Sequence, residues 1–326
     1  MKYIITVILL MTTLAAGAYG QDALNDYLKQ AAENNPALRA QFKKYMAAME
    51  KVPQVNTLPD PQIAFGYFVS PVETRVGAQQ AKISLKQRFP WFGTLNAQED
   101  HKTKLAQVKY REFEAMKIDL FYNVKRVWYD LYVVEKEIDF VEKQIEFYES
   151  FESIANTRVE TGKAKLSDVI RIKIRLDDLN NRLEDLQDKR APLRVEFNKL
   201  LNRDESAEVD LSDTIAEEAL PEEREAIIDS VIAANSELNI IRAQERAGES
   251  AMDLAKVKGY PGIGVALDYA FVNERTDMQV DDNGKDIFMP MLSFNVPIYR
   301  RKYNAMVKEE QLKLDAIQES YRDKVN

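Results

Sequence analysis

The residues that usually carry chemistry are sparse in this chain. His101 is the one histidine, and cysteine is absent. A metal centre, or a nucleophile with its base, needs several such groups at defined spacing. His101 stands among charged helical positions with no ligand-type neighbour at that spacing, which reads as a solvated surface residue. Met289 and Met291 alternate along one run and offer two thioethers, a soft-metal set too small to define a site. Filling of a strand face is the simpler reading. Carboxylates are abundant, but they fall on helix faces where solvation and i,i+4 pairing explain them. No phosphate loop, catalytic triad or metal motif occurs. The chemistry therefore implies no enzyme, no metal and no cofactor.

One charged set is ordered. Lys82, Lys86 and Arg88 share a face of a single alternating run. Inside a wet barrel they form a positive ring that favours anions; below a membrane they pair with acids instead. Trp91 and Phe92 follow the same run and fit either an aromatic belt at a membrane interface or ordinary packing.

The runs that must position these residues are of two kinds. Ile63, Phe65, Tyr67 and Val69 alternate with small residues, and Ile83, Leu85 and Phe89 with polar ones. Ile263 to Phe271 and Phe288 to Val296 repeat the pattern. Period two puts a large apolar set on one strand face and a small or polar set on the other. Each run has about 9 residues, enough to cross a bilayer as a tilted strand. A soluble antiparallel sheet with one wet face produces the same alternation. The helices favour the barrel, because they have no use for a small sheet as a core. Four strands cannot close alone, and an open edge in hydrocarbon leaves backbone groups unpaired. Two chains give eight strands and three give twelve, both allowed barrel sizes.

The second kind is helical. From Thr94 to Thr161 there is neither glycine nor proline, a stretch on the order of 100 Å as a helix. Val124, Val127, Leu131, Val134, Ile138, Val141, Ile145 and Tyr148 alternate spacings of three and four, as a coiled-coil seam does. Val169, Ile172, Leu176, Leu179, Leu183, Leu186, Leu193, Phe197 and Leu200 form a second seam, with Arg190 and Pro192 as interruptions. Gly162 supplies the stop between them, Ser167 or a neighbour a cap, and Asp168 a charge suited to the helix N-terminus. The two seams make an antiparallel helical hairpin with its tip at Gly162.

The chain also repeats itself. Asn35-Pro36-Ala37-Leu38 returns as Asn235-Ser236-Glu237-Leu238, and Pro61-Gln62-Ile63 as Pro261-Gly262-Ile263, both 200 residues later. A constant offset on this scale means a duplicated unit rather than a solenoid. We divide the chain into a secretory signal at 1–20, a first repeat at 21–222 and a second at 223–326. The signal rests on Lys2, an apolar core from Ile4 to Leu14, and the small residues Ala16, Ala18 and Gly20. By the arithmetic of the repeat the second unit is incomplete by about 100 residues. Charge is consistent with this address: −8 overall argues against a nucleic-acid partner, and 30% charged residues suit long solvated helices.

This order of elements resembles the TolC-like outer-membrane efflux proteins. The paired Asn35 and Asn235 openings, the two strand pairs and the tip pattern Arg158-x3-Gly162-x5-Asp168-Val169 carry the resemblance, which spans nearly the whole mature chain. The resemblance implies a mainly α fold with membrane β-structure: helical hairpins building an α-barrel, and four β-strands per chain in a 12-stranded trimeric barrel. It further implies an outer-membrane duct reaching into the periplasm, working as a homotrimer. Its partners would be a periplasmic adaptor of the membrane-fusion type, an inner-membrane RND-type pump and outer-membrane lipid. By the same resemblance the adaptor docks on the tip residues Arg158, Thr161, Gly162, Lys163, Leu166, Asp168 and Val169. Lys163 and Lys165 depart from the family's usual apolar and hydroxyl residues there. Pro71 to Arg75 with Phe89 to Gly93 look like the copper/silver (Cus-type) branch. A type I protein-secretion duct and an exported coiled-coil protein without a pore are the alternatives.

Overall fold

The computed structural model describes residues 19–211, 215 and 223–326. Most of the candidate signal segment, and the stretch around Pro221, lie outside the described residues. The order of elements is α1 (Tyr19–Asn34), α2 (Pro36–Met49), α3 (Lys51–Val55), β1 (Gln62–Thr74), β2 (Gly77–Phe89), α4 (Thr94–Glu160), α5 (Leu166–Leu200), α6 (Arg224–Ala234), α7 (Ser236–Val257), β3 (Gly262–Val272), β4 (Ile287–Asn295) and α8 (Arg300–Val325). They fall into two compact units, each discontinuous in sequence: residues 1–41 with 113–227, and 42–112 with 228–326.

In the first unit, the apolar seams meet as the heptad spacing requires. Ile138 and Val141 of α4 pack on Leu179 and Leu186 of α5, with Val134, Ile145, Tyr148 and Leu183 completing the seam. Arg190, an interruption in the sequence pattern, reaches Glu135 across it at 3.4 Å. Both groups are solvated, so this pair contributes at most about 1 kcal/mol. The hairpin is held chiefly by its apolar stripe, since long polar helices depend on tertiary packing. Helix α5 runs through Pro192 without a break.

A second cluster joins α1 to the same pair of helices. Leu24, Leu28 and Ala31 pack with Val124, Val127, Trp128, Leu131, Phe197 and Leu201. The segment after α5 is tied down by polar groups. Asn198 donates to the carbonyls of Glu205 and Ala207 at 2.9 and 2.8 Å, and Arg203 lies over the rings of Tyr27 and Phe197. The Trp128 indole donates to the Asp210 carbonyl, while the Asp210 amide donates to the Tyr27 hydroxyl.

The two Asn-led openings are built alike. Asn35 accepts from the Leu38 amide at 3.1 Å, and Asn235 from the Leu238 amide at 3.0 Å. Each caps its helix through the third helical residue, the bond that makes asparagine a favoured N-cap. Pro36 occupies the first position of α2, where its missing N–H costs nothing. Helices α2 and α3 are divided at Glu50.

The second unit holds one four-stranded antiparallel sheet in the order β1-β2-β3-β4. Strand β1 is longer than its alternating run and carries Pro71 within a shift of register between Tyr67 and Val72. A proline there is tolerated because β1 is an edge strand and the ladder is already interrupted. In the same unit helices α7 and α8 pack on each other. A side chain added at Gly248 would come within 3.2 Å of Leu314. Ala243 and Ala247 bury against Val108 of α4.

Candidate functional site

The sheet sorts its side chains into two faces row by row. One row across the middle reads Phe65, Ile83, Tyr269, Phe288; the next reads Ala64, Ser84, Asp268, Met289. The first face is mostly large and apolar, interrupted on β2 by Ala81 and Gln87, and it is open. Ile63 is 75% exposed, Phe65 69% and Val69 90%. An apolar surface of this extent is not left to water in a soluble monomer, and patches of this kind mark contact with a partner or a membrane. The second face is small or polar; Asp268 at 3% exposed, Ser84 and Ala270 are buried in it, whereas Ala64, Lys86, Arg88 and Met289 are exposed. Met289 and Met291 belong to it, and no group of three or more metal-binding side chains occurs among the described residues.

Lys82, Lys86 and Arg88 all point to this second face, each directly across from an alanine or glycine of β3. Their electrostatics are unequal. Lys82 forms an ion pair with Asp268, whereas Lys86 and Arg88 are exposed and have no salt bridge among the described residues. Asp268 was legible as one of the polar positions in the alternation, but its pairing was not.

At the far end of the strands the two hairpin loops are laced together. The Asn273 amide donates to the Ala78 carbonyl at 2.9 Å, and Gly284 to Val76 at 2.7 Å. Gly77 has φ +132, and a Cβ there would lie 1.7 Å from the Asn273 carbonyl oxygen. Glycine is the one residue this crossing accepts.

The helical tip is a separate candidate site. Gly162, at φ +68, ends α4 in the left-handed conformation. Its amide donates to the Val159 carbonyl at 3.0 Å, and that of Lys163 to Arg158 at 2.7 Å. Lys165, not Ser167, is the N-cap of α5; its amide donates to the Asp168 carboxylate at 3.3 Å. Ser167 sits inside the first turn, where its hydroxyl is past the orphan amides it was expected to serve. The seven tip residues are therefore not equivalent. Thr161 spends its hydroxyl on the carbonyls of Thr157 and Arg158, Asp168 spends its carboxylate on the cap, and Val169 is buried. Arg158, Lys163 and Leu166 present side chains outward, with Leu166 64% exposed.

The sequence pattern around His101 proved misleading. His101 is partly buried, its Nδ1 lies 3.2 Å from the Ser250 hydroxyl, and desolvation holds its pKa below the ordinary imidazole value. It is a packed residue between helices α4 and α7. The charged neighbours in sequence point elsewhere, because only every third or fourth residue shares its face.

The model of the family described as outer membrane efflux protein matches residues 27–203. The chain belongs to this family. The match covers the Asn35 opening, β1, β2 and the tip hairpin. Solved relatives share the fold. CusC, whose structures concern folding and transmembrane channel formation, is 12% identical, with 93% of this chain and 72% of that one covered at a TM-score of 0.71. The outer-membrane channel OprN is 17% identical, with 95% and 73% covered and a TM-score of 0.67. The outer membrane protein VceC from Vibrio cholerae is 13% identical, with 95% and 78% covered and a TM-score of 0.68. No curated protein matches the chain. As an outer membrane efflux protein, the chain resides in the outer membrane, extends into the periplasm and serves as an efflux channel. Among the described residues no helix is long and apolar enough to cross a membrane.

Proposed function

We propose that three copies of this chain close a 12-stranded barrel and form a passive exit duct. In this reading a periplasmic adaptor couples the duct to an inner-membrane RND-type pump. The observation that carries the reading is the sheet itself: an open apolar face flanked by two unpaired edges, β1 and β4. Unpaired edges in hydrocarbon cost several kcal/mol per backbone group, and copies of the same chain supply matching edges. The twin repeats at 21–222 and 223–326 belong to the same proposal, supported by the identical asparagine caps and the recurring helix, strand, strand, helix order.

Within the duct, the polar face of β2 lines the lumen with Lys82, Lys86 and Arg88. The adaptor docks on the tip, where Arg158, Lys163 and Leu166 offer the free side chains while Thr161, Gly162, Asp168 and Val169 hold the turn in place. The Cus-type branch, with a metal ion as cargo, rests on the sequence at Pro71 to Arg75 and Phe89 to Gly93, and a transport assay with copper and silver ions tests it.

Because the chain has no cysteine, a single one introduced by Lys163→Cys reports contacts cleanly. In cells, a maleimide–photoreactive probe at this position is expected to capture a periplasmic protein of the adaptor type. The same probe on Lys189→Cys in mid-hairpin is expected not to. Equal capture at both positions, or capture of no periplasmic protein at the tip, overturns the docking assignment.

A further inference from the structure

We infer that Asp268 sets the charge of the lumen wall: it cancels Lys82 at mid-barrel and leaves Lys86 and Arg88 as a cationic band where the sheet leads into α4. The inference rests on the channel reading above and sharpens what the channel prefers. Four observations carry it. Asp268 lies on the same face as the three cations, directly across from Ser84 and one ladder step from Lys82. Its carboxylate pairs with the Lys82 ammonium. The carboxylate side chain is 4% exposed against 36% for the lysine, so the acid is withdrawn behind its partner. The second carboxylate oxygen, Oδ1, has no hydrogen-bond partner.

A carboxylate so far from water stays ionised only with a compensating charge beside it, and removing one member of such a pair is far costlier than removing both. Seen from the lumen, Lys82 and Asp268 together are a dipole without net charge. Lys86 and Arg88 sit about 13 and 20 Å farther along β2 at ~3.3 Å per residue, near the end that precedes Trp91 and α4. They face Ala266 and Gly264, which offer no counter-charge. Each subunit thus presents two uncompensated cations, gathered at one level of the barrel instead of spread along it. A ring of fixed positive charge enriches small anions and delays cations at that level.

The experiment uses protein extracted from its outer membrane and inserted into planar bilayers, with reversal potentials read across a KCl gradient. Wild type is expected to prefer chloride. Asp268→Asn uncovers Lys82 and is expected to raise the chloride-to-potassium permeability ratio about twofold. The double variant Lys82→Met with Asp268→Leu removes both charges and is expected to match wild type. Lys86→Gln with Arg88→Gln, both at exposed positions, is expected to abolish the preference. An unmoved ratio in D268N, or a double variant that shifts as far as D268N, overturns the assignment of Asp268. Should D268N fail to insert, the exposed double variant still decides: persistence of chloride preference without Lys86 and Arg88 overturns the cationic band. Absence of any conductance in wild type would instead defeat the channel reading itself, so the two failures are distinguishable.

Discussion

Replacing Phe65 by arginine tests the side of the sheet that faces lipid. Phe65 heads a row of four apolar side chains, through Ile83 and Tyr269 to Phe288, level with the middle of β2. It is 69% exposed in the isolated chain, so that fraction of the ring must contact whatever surrounds the sheet. If the surroundings are hydrocarbon, an arginine at this depth costs about 2–4 kcal/mol per subunit. At tenfold per 1.4 kcal/mol, that weakens the folded state by roughly 30-fold to several hundred-fold. Ala64 is the control, one residue away and on the opposite face, with the same backbone and strand. Ala64→Arg should change stability by no more than about 0.5 kcal/mol, as surface substitutions do. Both variants can be unfolded with urea from lipid vesicles while tryptophan fluorescence is followed. If Phe65→Arg proves as mild as Ala64→Arg, the apolar face meets water or protein and the barrel argument fails. If Ala64→Arg is the costlier, the faces have been assigned the wrong way round.

Other outcomes follow from particular contacts. Asn35→Ala and Asn235→Ala each remove a helix cap worth about 1 kcal/mol. Asn35→Ala should lower the denaturation midpoint further than Asn235→Ala, because Asn35 also donates to the Leu200 carbonyl at 3.1 Å. For His101, burial lowers the folded-state pKa, with the Ala247 carbonyl and Glu310 opposing and Lys102 and Lys258 adding to the shift. The unfolded chain therefore binds the proton more readily. The contribution of His101 to stability is complete above the unfolded value near 6.5 and is lost as pH falls through the folded value. His101→Gln should flatten the slope of stability against pH in that window, as measured by urea titrations at several pH values. An unchanged slope would mean that the ring is solvated after all.

How far the sequence could be read depended on the range of the interaction. The 67-residue helix α4 was legible because nothing between Thr94 and Glu160 interrupts it, and its apolar seam repeats at heptad spacing. The tip was legible because Gly162 is the first residue able to adopt positive φ after that stretch. The cap was legible only as Ser167 or a neighbour; it is Lys165, because Asp168 reaches back to the Lys165 amide. The break at Glu50 has a local cause in Pro53, which offers no N–H to the Met49 carbonyl and crowds it, so the helix divides about one turn before the proline.

Sequence alone determined which elements form and which residues share a face, because both follow from periodicity among near neighbours. The tertiary structure decided the partnerships. His101 meets Ser250 across 149 residues of chain, and Arg275 in one hairpin loop donates to the carbonyl of Thr74, 201 residues away, in the other. The Lys82 charge is cancelled by an acid on a strand from the other half of the molecule. Period two says which way each side chain points, but only the register between β2 and β3 says what stands opposite it, and register is a property of the assembled sheet.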